Sequence, residues 1–153
     1  MSDEPLVSVL MCTYNGRDFI EAAVADIVNQ TYPNWELIVS DDGSADGTRE
    51  WLQQLGDDRI RVFLQPRNLG YVRNKNFALA QAKGALITQQ DQDDRSSPER
   101  LERQVTALQE HGLEIAACGF HSFFYQAIFC YLHGNISFET LTTDIIYFCN
   151  RQI

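Results

Sequence analysis

Three aspartates within four residues, Asp91, Asp93 and Asp94, are the side chains of this sequence best suited to chemistry. They follow directly on the run 85–90, which predicts a short buried strand, so their carboxylates lie at its carboxyl end. Carboxylates this close together repel one another and raise each other's pKa values. Such oxygen-rich clusters suit Mg²⁺ or Mn²⁺. The pattern therefore predicts a divalent-cation site; the alternative is an acidic turn that begins a helix near Pro98.

A second acidic turn follows the predicted strand 35–40 and contains Asp41, Asp42 and Asp46. Capping of the helix predicted over 48–55 explains one of these acidic residues. It does not explain all three. Because ligands of open α/β sheets bind beyond the carboxyl ends of the strands, this turn is a second candidate for ligand binding.

The elements that position these turns alternate along the chain between strand-like and helix-like patterns. This alternation is typical of an α/β fold, in which a parallel sheet carries helices on its faces. Strands are predicted over 6–12, 35–40, 60–64, 85–90 and 115–118, and helices from residue 20 to before Tyr32 and over 48–55, 72–82 and 98–111.

Four motifs occur in one order, each after a predicted strand: residues 8–16, the acidic turn 41–44, Asn68-Leu69-Gly70 and the turn 91–94. Together they resemble the family 2 glycosyltransferases, which have the GT-A fold. The resemblance covers residues 5 to about 118 and implies the nucleotide-sugar-binding half of such an enzyme. The fold it implies is a three-layer, Rossmann-like, mainly parallel sheet with helices on both faces, here truncated.

The resemblance also implies roles for residues that would bind the nucleotide. Thr13 and Tyr14 would lie against the nucleoside, with the Tyr14 ring beside the base. Asp42 would accept a hydrogen bond from the base, commonly from the N–H of a uracil or thymine. Arg73 falls where relatives often place a basic residue near the diphosphate. The alternative for Arg73 is a solvated helix charge, because Lys75 is close by.

Asp91 and Asp93 match the D-x-D motif of the same family. The resemblance implies that Asp93 binds the metal directly and that Asp91 reaches the ribose or the metal's water shell, while Asp94 is structural. The implied activity is metal-dependent transfer of a sugar, with inversion, from a UDP- or dTDP-type nucleotide sugar to an acceptor hydroxyl. The implied cofactor is Mn²⁺ or Mg²⁺. The catalytic base belongs to the family's second half, so no catalytic residue is identified.

The segment 119–153 does not align with the acceptor half of the family. It contains only three charged residues, Glu139, Asp144 and Arg151, but nine of the seventeen aromatic residues. A native helix that covers the sheet is one interpretation; foreign sequence left by truncation or a shifted reading frame is the one that the change in composition favours. We therefore predict two regions, 1–118 and 119–153, with self-association through the second. A catalytically incomplete nucleotide-binding fragment is the alternative function.

The composition of the chain argues against some classes of binding partner. The net charge of −9 and the absence of a basic stripe in the sequence argue against nucleic acid and anionic membrane surfaces. The four cysteines have no zinc or redox spacing, which favours a reducing cytoplasm, with a membrane-peripheral position left open. No membrane span is expected. A dinucleotide-binding oxidoreductase would need a G-x-G-x-x-G turn after the first strand, and residues 13–16 contain one glycine.

Overall fold

The computed structural model describes residues 4–111 of the chain. Strands and helices alternate strictly in this part, as predicted. The elements are β1 (Val7–Thr13), α1 (Ile20–Val28), β2 (Trp35–Asp41), α2 (Thr48–Leu52), β3 (Ile60–Leu64), α3 (Tyr71–Gln81), β4 (Leu86–Gln89) and α4 (Arg100–His111). The predicted strand 115–118 and the predicted region 119–153 lie outside the described residues.

Two helix boundaries differ from the sequence prediction for local reasons. The helix predicted over 48–55 ends at Leu52, because the hydrogen bonds that follow span three residues instead of the four of an α-helix. The Leu55 amide, for example, donates to the Leu52 carbonyl at 3.3 Å. The helix predicted to begin at Pro98 begins at Arg100. The Pro98 carbonyl instead accepts the Thr31 amide at 2.8 Å, which ties this turn to the end of α1.

The four strands form one parallel sheet in the order β3-β2-β1-β4. Val7 at the start of β1 is paired with Trp35 on one side and with Leu86 on the other. Because all four strands run in the same direction, their carboxyl ends lie at one edge. The strand order reverses between β1 and β4, so this edge contains the topological switch point where α/β proteins bind ligands.

Alternate residues of β1 enter two separate apolar clusters. Val9 and Met11 pack with buried residues of α1, α2 and α4, such as Leu101, on one face of the sheet. Leu10 packs with Ala78 of α3 on the other face. The alternation follows from the two-residue period of a strand. The predicted three-layer arrangement, with helices on both faces of a parallel sheet, is confirmed.

Candidate functional site

A cavity of about 320 Å³ opens at the carboxyl-terminal edge of the sheet. It lies where the ends of β1, β2 and β4 meet the loop that leads from β3 into α3. Its lining is mostly polar or charged. The lining residues are Cys12, Thr13, Tyr14, Asp42, Asn68, Tyr71, Asn74, Asp91, Gln92 and Asp93.

The structure brings together five of the six residues that the sequence suggested for binding. Thr13, Tyr14, Asp42, Asp91 and Asp93 all line this cavity, although they are separated by up to eighty positions in the chain. The sixth residue, Arg73, is the third residue of α3. It is exposed and is not among the lining residues that the structure describes.

Asp42 holds the loop that begins α3. Its two carboxylate oxygens accept the backbone amides of Leu69 at 2.7 Å and of Gly70 at 3.0 Å. Gly70, which directly precedes α3, has φ of +87°. Residues other than glycine rarely adopt this backbone conformation. Each carboxylate oxygen keeps a second lone pair, so Asp42 can still accept a hydrogen bond from a ligand.

The other two acidic residues of the second turn accept hydrogen bonds from backbone amides and do not line the cavity. Asp41 is fully buried, and its Oδ1 accepts the amides of Gly43 and Ser44 at 3.1 Å each. Asp46 accepts the Thr48 amide at the start of α2 at 3.1 Å. Only Asp42 of this cluster lines the cavity.

Gln92, which follows β4, is hydrogen-bonded to residues at the end of β1, and it was not selected from the sequence. Its Oε1 accepts a hydrogen bond from the Thr13 hydroxyl and one from the Tyr14 amide, the latter at 3.1 Å. A Cβ at Gly16 would lie 2.1 Å from the same oxygen, so this contact needs a glycine there. The position of Gln92 between the aspartates of the D-x-D motif was the available signal.

Asp91 and Asp93 carry negative charge that no residue in 4–111 neutralises by direct contact. Neither carboxylate accepts a hydrogen bond or forms an ion pair within this part of the chain. Asp91 is half-buried and Asp93 is exposed. The pKa of the neighbouring Asp94 is raised, first by burial and then by the charges of Asp91 and Asp93. Asp94 is therefore repelled by the charges of Asp91 and Asp93.

The thiol of Cys12, which also lines the cavity, responds to the same charges. Burial is the largest effect and raises the pKa of this thiol to about 11. The ammonium of Lys75 lowers the pKa, whereas Asp91 and Asp42 raise it further. The cavity thus combines acidic groups with one neighbouring cation on α3.

Lys75 of α3 contacts a residue that lines the cavity. Its ammonium lies 4.5 Å from the ring centroid of Tyr71 and is hydrogen-bonded to the Tyr71 hydroxyl. Asn74, next to it, is 2% exposed and donates to the Ser40 carbonyl at 2.9 Å, which fixes the inward face of the helix. Lys75 is half-buried, whereas Arg73 is exposed, and neither belongs to the cavity lining that the structure describes.

The carboxylates fit a divalent cation whose coordination is completed by substrate. Within residues 4–111 no group of three or more His, Cys, Asp or Glu side chains could hold a metal ion by itself. Mg²⁺ is usually bound by one or two carboxylates together with water and substrate phosphates. Asp91 and Asp93 supply this smaller set at the cavity wall.

A parallel sheet with helices on both faces and a cavity at its switch point defines an open α/β protein with a ligand-binding position at this edge. Within this class, the chain belongs to glycosyl transferase family 2, because the model of the family described as "Glycosyl transferase family 2" matches residues 8–151. The match continues past the described residues into the aromatic-rich segment. The predicted family is therefore confirmed.

Individual relatives agree with this assignment. The putative teichuronic acid biosynthesis glycosyltransferase TuaG of Bacillus subtilis (strain 168) is 39% identical over 119 residues, which is 76% of this chain and 47% of TuaG. The chain therefore spans about half the length of this relative. None of the helices within 4–111 is long and apolar enough to cross a membrane.

Solved structures with bound nucleotide sugars share the fold. S. aureus TarS 1-349 in complex with UDP-GlcNAc has a TM-score of 0.66 and 27% identity, over 73% of this chain and 32% of TarS 1-349. The mannosyltransferase PcManGT of Pyrobaculum calidifontis, in complex with GDP-Man and Mn²⁺, has a TM-score of 0.63 and 29% identity, over 70% of this chain and 33% of PcManGT.

Proposed function

We propose that this chain binds a nucleoside-diphosphate sugar in the cavity, as the donor half of an inverting glycosyltransferase that acts on an acceptor hydroxyl. The observation that carries the proposal is the meeting of Thr13, Tyr14, Asp42, Asp91 and Asp93 around one cavity at the switch point. Family membership supports it, as do the nucleotide sugars in TarS and PcManGT.

The nucleoside is assigned to the side of the cavity where β1 and β2 end. Tyr14 has 49% of its side chain exposed there, so an apolar ring face is available to a base. Thr13 lies beside it and is oriented by Gln92. Asp42 accepts the N–H of a uracil or thymine while it keeps its bonds to the loop amides. We therefore expect a UDP- or dTDP-type donor.

The diphosphate is assigned to the side where β4 ends. Asp93 binds Mn²⁺ or Mg²⁺ directly, and Asp91 contacts the ribose or the water shell of the ion. When bound, the ion neutralises the charge that develops on the leaving nucleoside diphosphate. Asp94 orients its neighbours: its amide donates to the Asp91 carbonyl at 3.2 Å.

Lys75, rather than Arg73, is assigned to the diphosphate. The ammonium of Lys75 acts on the Cys12 thiol, which lines the cavity, whereas the Arg73 side chain is exposed on α3. A positive charge at this point offsets the charge of the phosphate groups without contributing a proton acceptor.

The setting of the reaction is assigned to the cytoplasm. The free thiol of Cys12 in a strand of the core sheet agrees with a reducing compartment. The name of TuaG refers to teichuronic acid biosynthesis, and a biosynthetic role of this kind is the one that this relative suggests. Self-association through 119–153 stays a prediction.

A nucleotide-binding protein that does not transfer sugar is the second candidate. One observation favours it: once Asp42, Asp91 and Asp93 are assigned to nucleotide and metal, the described cavity lining holds no carboxylate that could deprotonate an acceptor hydroxyl. The two acidic residues of the aromatic-rich segment, Glu139 and Asp144, lie outside the described part of the chain.

Radiolabelled UDP-GlcNAc with Mn²⁺ separates the two candidates. Equilibrium dialysis of the 153-residue chain should show that the nucleotide sugar is retained, and that EDTA abolishes retention. Labelled sugar in an acceptor fraction would establish the transferase, and retention without transfer would establish the second candidate. Failure to retain UDP-GlcNAc, dTDP-glucose and GDP-mannose alike would contradict both.

A further inference from the structure

A second half-exposed tyrosine lines the cavity and has no role in the function proposed above. Tyr71 is 60% exposed and Tyr14 is 49% exposed, and both line the same space. Tyr14 follows β1, and Tyr71 begins the helix that follows β3. Since β1 and β3 are the two neighbours of β2, these tyrosines come from either side of the strand that leads to Asp42.

The ring of Tyr71 is held in place by its own helix. Lys75, one turn later, lies 4.5 Å from the ring centroid and is hydrogen-bonded to the hydroxyl. The ammonium therefore lies at the hydroxyl end of the ring and restrains its orientation. The ring has two faces, and the exposed fraction of 60% leaves surface for a second partner.

The backbone that carries Tyr71 is tied to the residue assigned to the base. Asp42 accepts the amides of Leu69 and Gly70, the two residues directly before Tyr71, at 2.7 and 3.0 Å. The side chain that selects the base and the ring beside the cavity therefore keep a fixed relation. Preorganisation of this kind reduces the entropy lost on binding.

We propose that Tyr71 stacks on the nucleobase through its exposed ring face, so that Tyr14 and Tyr71 together hold a base bonded to Asp42. The inference rests on the proposed function and deepens it. Aromatic faces stack on any base, whereas a fixed carboxylate accepts only from a base whose edge places an N–H at the right position. Tyr71 thus contributes affinity for the nucleoside, and Asp42 contributes selection among bases.

Calorimetry on the full 153-residue chain with Mg²⁺ tests this, with UDP as one probe and pyrophosphate, which has no base, as the other. Tyr71→Ala should weaken UDP binding about ten-fold, the scale of one lost stacking contact. The same variant should leave pyrophosphate binding within about two-fold. Tyr71→Phe, which keeps the ring, should bind UDP more tightly than Tyr71→Ala does, and Val72→Ala, an exposed neighbour outside the cavity, should bind UDP as the wild type does.

Other outcomes overturn the inference in distinct ways. Equal loss of UDP and pyrophosphate in Tyr71→Ala would mean that the ring acts only through Lys75 or the fold. Unchanged UDP binding in Tyr71→Ala would remove Tyr71 from the site and leave the proposed function standing. Wild-type protein that is folded but binds neither probe would refute the proposed function, and the inference with it. Should Tyr71→Ala not fold, Tyr71→Leu keeps apolar bulk without a π face and should show the same UDP-specific loss.

Discussion

The carboxylates at the two edges of the sheet differ in whether the protein supplies them with hydrogen-bond donors. At the amino-terminal edge, Glu36 is 7% exposed and accepts the Ser8 hydroxyl at 2.7 Å, the Lys83 amide at 2.7 Å and the Arg61 guanidinium at 3.1 Å. At the carboxyl-terminal edge, Asp91 and Asp93 have no such donor within the described part of the chain.

The comparison separates charges that stabilise the fold from charges that are available to a ligand. Burial raises the pKa of Glu36, but its hydrogen bonds and the nearby Arg61 charge outweigh this, and the net pKa is lowered. The pKa of Asp94 is raised, because burial and the charges of Asp91 and Asp93 act in the same direction. A carboxylate whose donors are supplied by the protein contributes to folding, whereas one without donors is free to bind a cation.

The largest effect on stability is expected at the amino-terminal edge. Glu36→Ala leaves Arg61 without its carboxylate and the Ser8 hydroxyl without its acceptor, although Arg61 still donates to the Gln81 carbonyl. The free energy of unfolding should therefore fall by about 2–4 kcal/mol, allowing for the partial exposure of Arg61. Urea denaturation measures this. Asp93→Asn, measured in parallel, should change it by less than about 0.5 kcal/mol. Similar losses of unfolding free energy in the two variants would contradict the claim that only the amino-terminal carboxylate stabilises the fold.

A smaller effect is expected where α3 borders the cavity. Lys75→Ala should weaken UDP binding about ten-fold, because a charged partner of the diphosphate is lost. Arg73→Ala, which removes a cation from the exposed side of the same helix, should change binding by about two-fold or less. Titration calorimetry of both variants compares them directly. A larger loss in Arg73→Ala would restore the role that the sequence suggested for Arg73.

The smallest effect is a difference in pH dependence. Because the pKa of Glu36 lies below its ordinary value of 4.5 in the folded protein, the carboxylate stabilises the fold above pH 4.5. This contribution is lost as the pH falls through the lowered pKa. Thermal unfolding temperatures recorded from pH 7 downward should therefore fall less steeply in Glu36→Gln than in the wild type. Parallel curves for the two proteins would contradict the lowered pKa.

The sequence predicted the strands and the sheet edge because both follow from short-range patterns. Apolar runs ended by polar turns located β1, β2 and β4 to within one residue. The environment of each side chain on α3 could not be predicted in this way: Arg73 is exposed, whereas Lys75 is half-buried and contacts the Tyr71 ring, and this difference depends on tertiary packing.

The different roles of the three aspartates in the second acidic turn could not be predicted from the sequence either. Asp41, Asp42 and Asp46 look alike as residue types, yet two of them bond to backbone amides of their own turn and helix. Asp42 bonds to amides more than twenty-five positions away, at Leu69 and Gly70, and lines the cavity. Such long-range bonds depend on how the β3–α3 loop returns to β2, which no local pattern encodes.

The claim that the unpaired carboxylates at the carboxyl-terminal edge bind a cation with the nucleotide is tested most directly by one comparison. Calorimetry with UDP and Mn²⁺ is performed on wild type, Asp93→Asn and the control Asp58→Asn, which alters an exposed aspartate before β3, outside the cavity. Asp93→Asn should weaken metal-dependent UDP binding by about 1–3 kcal/mol, and Asp58→Asn should leave it unchanged. Equal UDP affinity in wild type and Asp93→Asn, with or without Mn²⁺, would contradict the account.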